Sequence, residues 1–382
     1  MQRSWRFHFR RRSAIVGLAA LLLAACGGAA SSSPSASGGP SATSAAASSP
    51  KAGSAAAGAD VVIASPSFGA ENFDPSQGPN LFLGSGLGGP IYEQLFTIVP
   101  PNGALKPYLA ESATMAPDTS SWTIKLRKGI KFSNGDPMTA DDVKFSLERY
   151  ISKDSKTASA STFRKAFGSI DVVDPLTVKI SMKAPILDLP NELAYPGNEG
   201  IVLPSKYIKQ VGWKGFADKP IGSGPYVLSE HKAGQSVTYT PNPNYWRSKP
   251  TLKSLQIVLV SIAQTRIAMV ESGKADVAEI GISDTKSVQS AGFKTLTVPN
   301  TTTWSIYFIG ARADAPDNPL KKLEVRKAFT LAIDKKALLD GLVDGQGSTA
   351  EIAADPAGTR GSISLPPTPY DPGQAKQLLK QA

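Results

Sequence analysis

The chain has 382 residues, a formal net charge of +10 at pH 7, one cysteine and two histidines. A single cysteine excludes an internal disulfide, and His8 and His231 are too few for a multi-histidine metal site or for a Ser-His-Asp triad with a histidine to spare. Five arginines lie at or before Arg12, so the rest of the chain carries a net charge of only +5. This charge gives little support to nucleic-acid binding, and we expect no nucleic-acid partner.

The first 26 residues have the pattern of a cleaved bacterial leader. Five arginines and no acidic residue precede or border an apolar run, Ala14 to Ala25, that is too short to span a bilayer comfortably. The sequence Leu23-Ala24-Ala25-Cys26-Gly27 resembles a lipobox, in which the cysteine is lipidated and becomes the first mature residue. We therefore predict lipidation at Cys26. The cluster Arg10-Arg11-Arg12 leaves both Sec and twin-arginine export open.

Residues 27–58 are almost entirely Ala, Ser, Gly and Pro. This composition cannot bury enough apolar surface to fold, so we interpret the segment as a flexible tether. The folded part is predicted to begin with a strand at 60–65, followed by a loop rich in proline and glycine. No lysine follows the glycines between Gly84 and Gly89, so they do not form a phosphate-binding loop.

Residues 122–150, WTIKLRKGIKFSNGDPMTADDVKFSLERY, carry the strongest local pattern in the chain. Apolar residues alternate with polar ones from Trp122 to Leu126, which predicts a half-buried strand, and a second short strand is predicted at 130–132. Thr139 and Asp142 have the spacing of a capping box, so a helix is predicted from Ala140. Its apolar stripe is Ala140, Val143, Leu147 and Tyr150. Phe145 lies off this stripe and needs a different packing partner.

Hydrophobic periodicity predicts further strands at 176–182, 226–228, 255–260 and 276–280, and helices at 263–272, from Leu323 and from Ala375. The apolar run at 255–260 is typical of a buried parallel strand. The segment Gly281–Asp284 follows a strand of this strand-helix-strand unit, and ligands of α/β lobes lie beyond the carboxyl ends of such strands. Segments 293–298 and 304–309 are predicted to cross to a second lobe. The helix from Leu323 has an apolar stripe at Val325, Ala328, Phe329, Ala332 and Ile333.

The central pattern resembles the signature of the family 5 extracellular solute-binding proteins, the dipeptide- and oligopeptide-binding components of bacterial ABC importers. The similarity runs from Trp122 to Arg149, with Asn134-Gly135 in place of the usual acidic-Gly pair. Other segments also match family motifs: Phe73-Asp74-Pro75, IYEQLF at 91–96, IGSGPY at 221–226, NPNYW at 242–246, VRKAFTLAIDKKAL at 325–338 and YDPGQAKQLLKQA at 370–382.

The resemblance implies an α/β, two-lobed periplasmic-binding-protein-like fold of type II, in the large cluster with an extra N-terminal subdomain. The expected parts are a leader at 1–26, a tether at 27–58, the first lobe at 59–98 and 195–306, the additional subdomain at 99–194, and the start of the second lobe at 307–382. Family members continue past the last helix, so we expect a C-terminally truncated chain with an incomplete second lobe.

The resemblance also implies a function. We expect a monomeric, non-enzymatic solute-binding lipoprotein, without cofactor or metal, anchored by lipid to the outer face of the cell membrane or periplasmic. It would deliver a peptide or similar small solute to an ABC permease and its ATPase complex. Peptides are the default ligand, while nickel chelates, sugars and opines remain open. A secreted carboxylate-dependent hydrolase and a structural or signalling lipoprotein are the alternatives, although a helix start accounts for Asp141-Asp142.

Six residues are predicted to line the ligand cleft. Phe73, Leu81, Phe82 and Ile282 would be presented by first-lobe loops, and Trp304 and Tyr307 by the strand that crosses between lobes. Residues three apart on a strand point to opposite faces, so at most one of the last two faces the cleft. The polar run at 301–303 favours Trp304. No residue can be carried over from the family for capture of a peptide amino terminus.

Overall fold

The computed structural model describes residues 58–69, 71–78, 86–99, 104–194, 197–296, 306, 308, 317–349 and 365–382. Contacts divide the chain into residues 1–49 and 50–382, and every described residue lies in the second unit. None of the helices in these ranges is long and apolar enough to cross a lipid bilayer. The predicted leader and nearly all of the predicted tether lie outside the described residues.

Within these ranges the strands are β1 (Asp60–Ser65), β2 (Phe96–Val99), β3 (Ala104–Pro107), β4 (Ala110–Met115), β5 (Ser121–Leu126), β6 (Phe167–Asp174), β7 (Thr177–Met182), β8 (Tyr226–Lys232), β9 (Ser236–Pro241), β10 (Ser254–Leu259) and β11 (Val277–Ala278). The helices are α1 (Ala140–Tyr150), α2 (Ala160–Ala166), α3 (Leu189–Glu192), α4 (Ser205–Asp218), α5 (Ala263–Glu271), α6 (Thr285–Ser290), α7 (Leu323–Ala332), α8 (Lys335–Val343) and α9 (Pro372–Gln381). These elements make the chain mixed α/β, as predicted.

A five-stranded sheet has the order β11-β1-β10-β9-β8. Strand β1 pairs in parallel with both β10 and β11, whereas β9 is antiparallel to both of its neighbours. The prediction of a parallel strand at 255–260 is therefore correct for the pairing of β10 with β1 and wrong for its pairing with β9. The strand predicted at 276–280 is reduced to β11, two residues at the edge of the sheet.

A separate four-stranded antiparallel sheet has the order β4-β5-β7-β6 and lies within the range predicted for the additional subdomain. Burial alternates along β5 as its sequence predicts. The short strand predicted at 130–132 is absent from this described segment, where a single bridge joins Lys131 and Pro137. Gly129 and Gly135 both have positive φ, at +79° and +91°, so the turns on either side leave too few residues for a ladder.

Asp142 connects the starts of two helices. One of its carboxylate oxygens, Oδ2, accepts a hydrogen bond of 2.8 Å from the Thr139 backbone N–H, which supports the predicted capping box of α1. The other oxygen, Oδ1, accepts one of 2.9 Å from the backbone N–H of Ser205, the first residue of α4. The expected partner of Phe145 also comes from α4, because its ring stacks on Trp213 with centroids 5.7 Å apart.

Helices α7 and α9 pack together around Ala328, Leu331 and Ala375, with Leu378 against them. The stripe predicted for α7 is only partly correct, because Phe329 is 49 % exposed whereas Leu331, which was not assigned to the stripe, is buried. Residues 293–296 form no regular element, and the remainder of the two predicted crossover segments lies almost wholly outside the described residues.

Gly222 and Gly224 are required by a close chain crossing. Neither glycine has positive φ. A Cβ on Gly224 would instead lie 2.6 Å from the backbone of Ile91 and of Pro90, and a Cβ on Gly222 would lie 2.2 Å from the Ile91 carbonyl oxygen. The crossing is closed by a hydrogen bond of 2.8 Å from the Gly224 N–H to that oxygen.

We predict that Gly224→Ala destabilises the protein by about 1–3 kcal/mol or more, because backbone atoms cannot move aside for the added methyl group. The matched control is Gly341→Ala on α8, where an added Cβ meets nothing within 4 Å. Urea unfolding monitored by circular dichroism measures both variants. Equal stability of the two variants would contradict the steric explanation.

Candidate functional site

The carboxyl ends of β1, β10 and β11 meet at one edge of the five-stranded sheet because the three strands run parallel. We call this the strand-end edge and define it by Ser65, Val260-Ser261, Glu279 and the turn Ile282–Asp284, all of which end or follow these strands. In open α/β sheets this is the side on which ligands bind.

Arg266 fixes the shape of the strand-end edge from beneath. It lies on α5 and is only 5 % exposed. Its Nε donates a hydrogen bond of 2.6 Å to the carbonyl of Glu279, and its Nη1 donates to the carbonyls of Val260 and Ser261 at 2.7 and 3.0 Å. One buried guanidinium therefore holds together the backbone that follows β10 and the backbone that follows β11.

Ser65 and Glu279 form the polar part of the edge. Ser65 is the last residue of β1 and is buried, while Glu279 directly follows β11 and is exposed. The Ser65 hydroxyl donates to Glu279 Oε1 at 2.9 Å, and the Ser67 carbonyl lies 3.2 Å from the same hydroxyl. A carboxylate is thereby held on the side of the sheet where a solute is expected.

Later helices border the strand-end edge. Helix α8 packs against the turn Ile282–Asp284. An ion pair of 2.9 Å joins Lys286 on α6 to Asp344, the residue that follows α8. The strand-end edge is therefore in contact with the segment that carries α8.

Of the six residues predicted to line the cleft, the structure places Ile282 on the strand-end edge, with 39 % of its surface exposed. Phe73 lies elsewhere, at 2 % exposure, within the core beneath the five-stranded sheet. Its ring packs edge-on against His231, with centroids 5.3 Å apart, so in this structure it presents almost no side-chain surface to a solute. An aromatic ring gains more from such burial than from exposure on a loop. The other four, Leu81, Phe82, Trp304 and Tyr307, lie outside the described residues.

His231 lies on β8, and its Nε2 is 2.7 Å from Oε2 of Glu71. The Glu71 carboxylate also accepts a hydrogen bond from the Gly234 N–H. Although burial opposes it, these contacts lower the pKa of Glu71. The pair attaches the loop that precedes Phe73 to the edge strand of the sheet.

Arg149, the last residue of the signature, holds the predicted ligand loop at its base. Its guanidinium lies 3.2 Å from the Asp74 carboxylate, donates to the Ser76 hydroxyl at 2.9 Å and covers the Trp213 ring at 4.1 Å. Asn198 donates to the carbonyls of Pro75 and Gly78 at 3.0 and 2.9 Å. Both partners of the ion pair are largely buried, so the loss of one would leave an uncompensated charge.

Glu93 joins two sequence motifs that are about 150 residues apart. Its carboxylate is 4 % exposed and accepts hydrogen bonds from Tyr108, Tyr245 and Trp246 at 2.9, 2.9 and 2.7 Å. Burial raises the pKa of Glu93 above its ordinary value, although these donors oppose the shift. A pocket of about 190 Å³ borders the cluster. The cluster connects the five-stranded sheet to the segment that leads into the four-stranded sheet.

Glu93 and Trp246 lie in two of the family motifs found in the sequence, and the structure brings them into direct contact. The sequence analysis did not single out Arg266 or Glu279. The available signal for Arg266 was a lone basic residue inside a helix next to an apolar strand. For Glu279 it was an acidic residue at the end of a strand that otherwise reads as apolar.

The two-lobed fold defines the class of periplasmic binding proteins, to which the solved structures that resemble this chain belong. One of them, NikA from Brucella suis in complex with Fe(III)-EDTA, superposes with a TM-score of 0.67 at 26 % identity, covering 84 % of this chain and 64 % of NikA. Residues 104–382 match the family described as bacterial extracellular solute-binding proteins, family 5 Middle. The chain belongs to this family, which is made up of substrate-binding proteins rather than enzymes.

Two curated relatives that match this chain are named for different solutes. The nickel-binding periplasmic protein of Escherichia coli K12 is 28 % identical over 287 residues, 74 % of this chain and 53 % of the relative. The glutathione-binding protein GsiB of Salmonella choleraesuis is 31 % identical over 327 residues, 85 % of this chain and 61 % of the relative. The chain thus spans between half and two thirds of the length of these relatives.

We predict that Glu93 makes stability fall as the pH rises. Its pKa in the folded protein is raised above the ordinary value of 4.5, so between these two pKa values the folded state binds more protons than the unfolded state. The folded state therefore loses relative stability as the pH rises from the lower pKa through the higher one. Urea unfolding across this pH range should show the loss in the wild type and its absence in Glu93→Gln.

The matched control for Glu93 is Glu148→Gln, which removes an exposed carboxylate from α1 and leaves the cluster intact. It should retain the pH dependence of the wild type. A difference between wild type and Glu93→Gln that stays flat, or grows in favour of the wild type with rising pH, would show that burial does not dominate at this carboxylate.

Proposed function

We propose that the protein is an extracytoplasmic solute-binding lipoprotein that captures a peptide or similar small solute and delivers it to an ABC permease. The observation that carries this proposal is the family match over residues 104–382. Related proteins named for glutathione and nickel support small-solute binding, and the glutathione relative favours a peptide-like ligand.

The strand-end edge suits such binding for physical reasons. Arg266 fixes its backbone, so little conformational entropy remains to be lost on binding. Exposed backbone groups, the Glu279 carboxylate and the apolar surface of Ile282 together offer polar anchors and a hydrophobic contact, the usual composition of a small-molecule site. Closure against the segment that carries α8 would then exclude water from the bound solute.

Asp142 gives no support to the alternative of a secreted hydrolase. Both Asp142 oxygens accept hydrogen bonds from backbone N–H groups at helix starts, so the residue serves as a cap. Among the described residues, no group of three His, Cys, Asp or Glu side chains is arranged to hold a metal ion. Transport binding therefore remains the stronger proposal.

Lipid anchoring is the second part of the proposal. It rests on the sequence around Cys26, which lies outside the described residues. A lipobox cysteine receives a diacylglyceryl group and a further acyl chain, which satisfies the requirement of more than one chain for stable attachment. The tether at 27–58 would allow the folded part to reach the permease while anchored.

We predict that trialanine or reduced glutathione raises the melting temperature of the purified protein. A ligand at 100 times its Kd stabilises the folded state by about 2.7 kcal/mol. Differential scanning fluorimetry measures the shift, with nickel(II) and a disaccharide as parallel arms, and mass spectrometry shows whether the peptide is recovered intact. A shift with nickel or the disaccharide alone would reassign the ligand class, peptide cleavage would favour the hydrolase, and no shift in any arm would contradict solute binding.

We predict that Cys26→Ala abolishes lipidation, leaving an unprocessed or released protein in a bacterial host that processes lipoproteins. Palmitate labelling and membrane fractionation after a high-salt wash measure the effect. The control is Ser32→Ala in the tether, which should be labelled and fractionate like the wild type. A wild-type protein without label, together with a Cys26→Ala variant that stays on the membrane, would refute the lipobox assignment.

A further inference from the structure

The chain that leaves β1 runs along the strand-end edge to the far side of the five-stranded sheet. Residues 66–69 and 71–73, which we call the strap, follow Ser65 at the end of β1. The β8–β9 hairpin lies at the same edge, because the Leu259 N–H at the end of β10 donates to the Gln235 carbonyl at 2.8 Å. The strap therefore spans the width of β10 and β9 before it reaches β8, and it borders the proposed solute site.

A clasp formed by Glu71, His231 and Gly234 holds the far end of the strap. The His231 Nε2 lies 2.7 Å from Oε2 of Glu71, and the Gly234 nitrogen lies 3.0 Å from each oxygen of the same carboxylate. Phe73 packs edge-on against the imidazole, with centroids 5.3 Å apart. Phe68 anchors the near end, because it is buried in the core beneath the sheet. The strap thus has two buried aromatic anchors and one ionisable contact.

Glu71 is the only described side chain in ion-pair contact with the His231 imidazole. Across the ladder, β9 places the apolar Val237 opposite it. The other charged groups nearby belong to β8 and to the end of α4, and they are Glu230, Lys232, Asp218 and Lys219. Glu230 and Lys232 pair with each other at 3.1 Å. A cavity of about 670 Å³ borders the clasp, so the imidazole can exchange protons with solvent.

The strength of the clasp depends on protonation. Histidine is the side chain whose charge ordinarily changes between pH 5 and 8. Burial opposes the ionisation of Glu71, but the hydrogen bonds from His231 and Gly234 lower its pKa below the ordinary 4.5, so the carboxylate stays charged over that range. An imidazolium donates a charge-assisted hydrogen bond to this carboxylate, and a neutral imidazole donates a weaker one. The clasp is therefore stronger at pH 5.5 than at pH 7.5, while the Gly234 hydrogen bond is present at both.

We propose that Glu71 and His231 are positioning residues that hold the strap ready for solute binding and couple solute affinity to pH. This inference rests on the proposed function and adds a form of regulation to it. A segment that is already ordered in the free protein loses less conformational entropy when a solute binds against it. A strap whose clasp is weakened must be ordered during binding, so the affinity for the solute falls as the pH rises.

The experiment measures trialanine binding by isothermal titration calorimetry at pH 5.5 and 7.5 on the wild type, His231→Gln and Glu230→Gln. His8 lies in the predicted leader, so His231 is the only histidine of the expected mature chain. Gln supplies a neutral N–H donor that does not titrate, and Glu230→Gln is the matched control because it removes a neighbouring acid that pairs with Lys232 instead.

We expect the ratio of the affinity at pH 5.5 to that at pH 7.5 to be about 2- to 5-fold larger in the wild type and in Glu230→Gln than in His231→Gln. Titration of the peptide amine affects all three proteins alike, so this comparison isolates the clasp. Hydrogen–deuterium exchange of the strap without peptide gives a second measurement, expressed as protection relative to the intrinsic rate at each pH. Protection should be higher at pH 5.5 in the wild type and independent of pH in His231→Gln.

Two results would overturn the inference and leave solute binding standing. One is the same pH dependence of affinity in the wild type and in His231→Gln, and the other is protection of the wild-type strap that does not change with pH. If the wild type bound no peptide at either pH, peptide binding itself would fail, and the coupling would fall with it.

Discussion

The hydrogen bonding of the buried Glu93 carboxylate is the interaction on which the arrangement of the sheets depends. A charge removed from water must be satisfied by donors, and here the donors come from Tyr108, Tyr245 and Trp246, in segments far apart in the chain. All three donors reach the two carboxylate oxygens because these segments lie together in the fold. The close crossing of Gly222 and Gly224 over Ile91 lies in the same region and tolerates no side chain.

Two further buried carboxylates act by the same physical rule. Asp142 accepts hydrogen bonds from the starts of α1 and α4, and Asp74 is paired with Arg149. Each joins elements that are distant in sequence, because a buried acceptor that lost its donors would cost about 1–3 kcal/mol or more. These contacts favour a single packing over the alternatives that hydrophobic burial alone would permit.

The strand-end edge, which we propose as the solute site, is held by a different residue. The guanidinium of Arg266 donates hydrogen bonds to backbone carbonyls. It therefore shapes the edge and does not itself offer a charge to a solute. Glu279 differs from the three buried carboxylates because its side chain is exposed. The buried acids hold distant segments together, whereas Glu279 lies at the strand-end edge and accepts a hydrogen bond from Ser65.

The sequence by itself determined the local elements and the family. Alternation predicted β5, the capping box predicted the start of α1, and the boundaries of β1 matched the structure, because each signal depends on neighbours in the chain. Tertiary structure decided which apolar residues are buried and which partners cover them. Phe73 was assigned to the cleft but is buried against His231, and Phe329 was assigned to the core but is half exposed. Periodicity reports that a residue is apolar, whereas the partner that covers it is set by long-range packing. For the same reason the hydrogen bonds of Glu93, Arg266 and Glu279 could not be predicted from the sequence, because their partners lie in other segments of the chain.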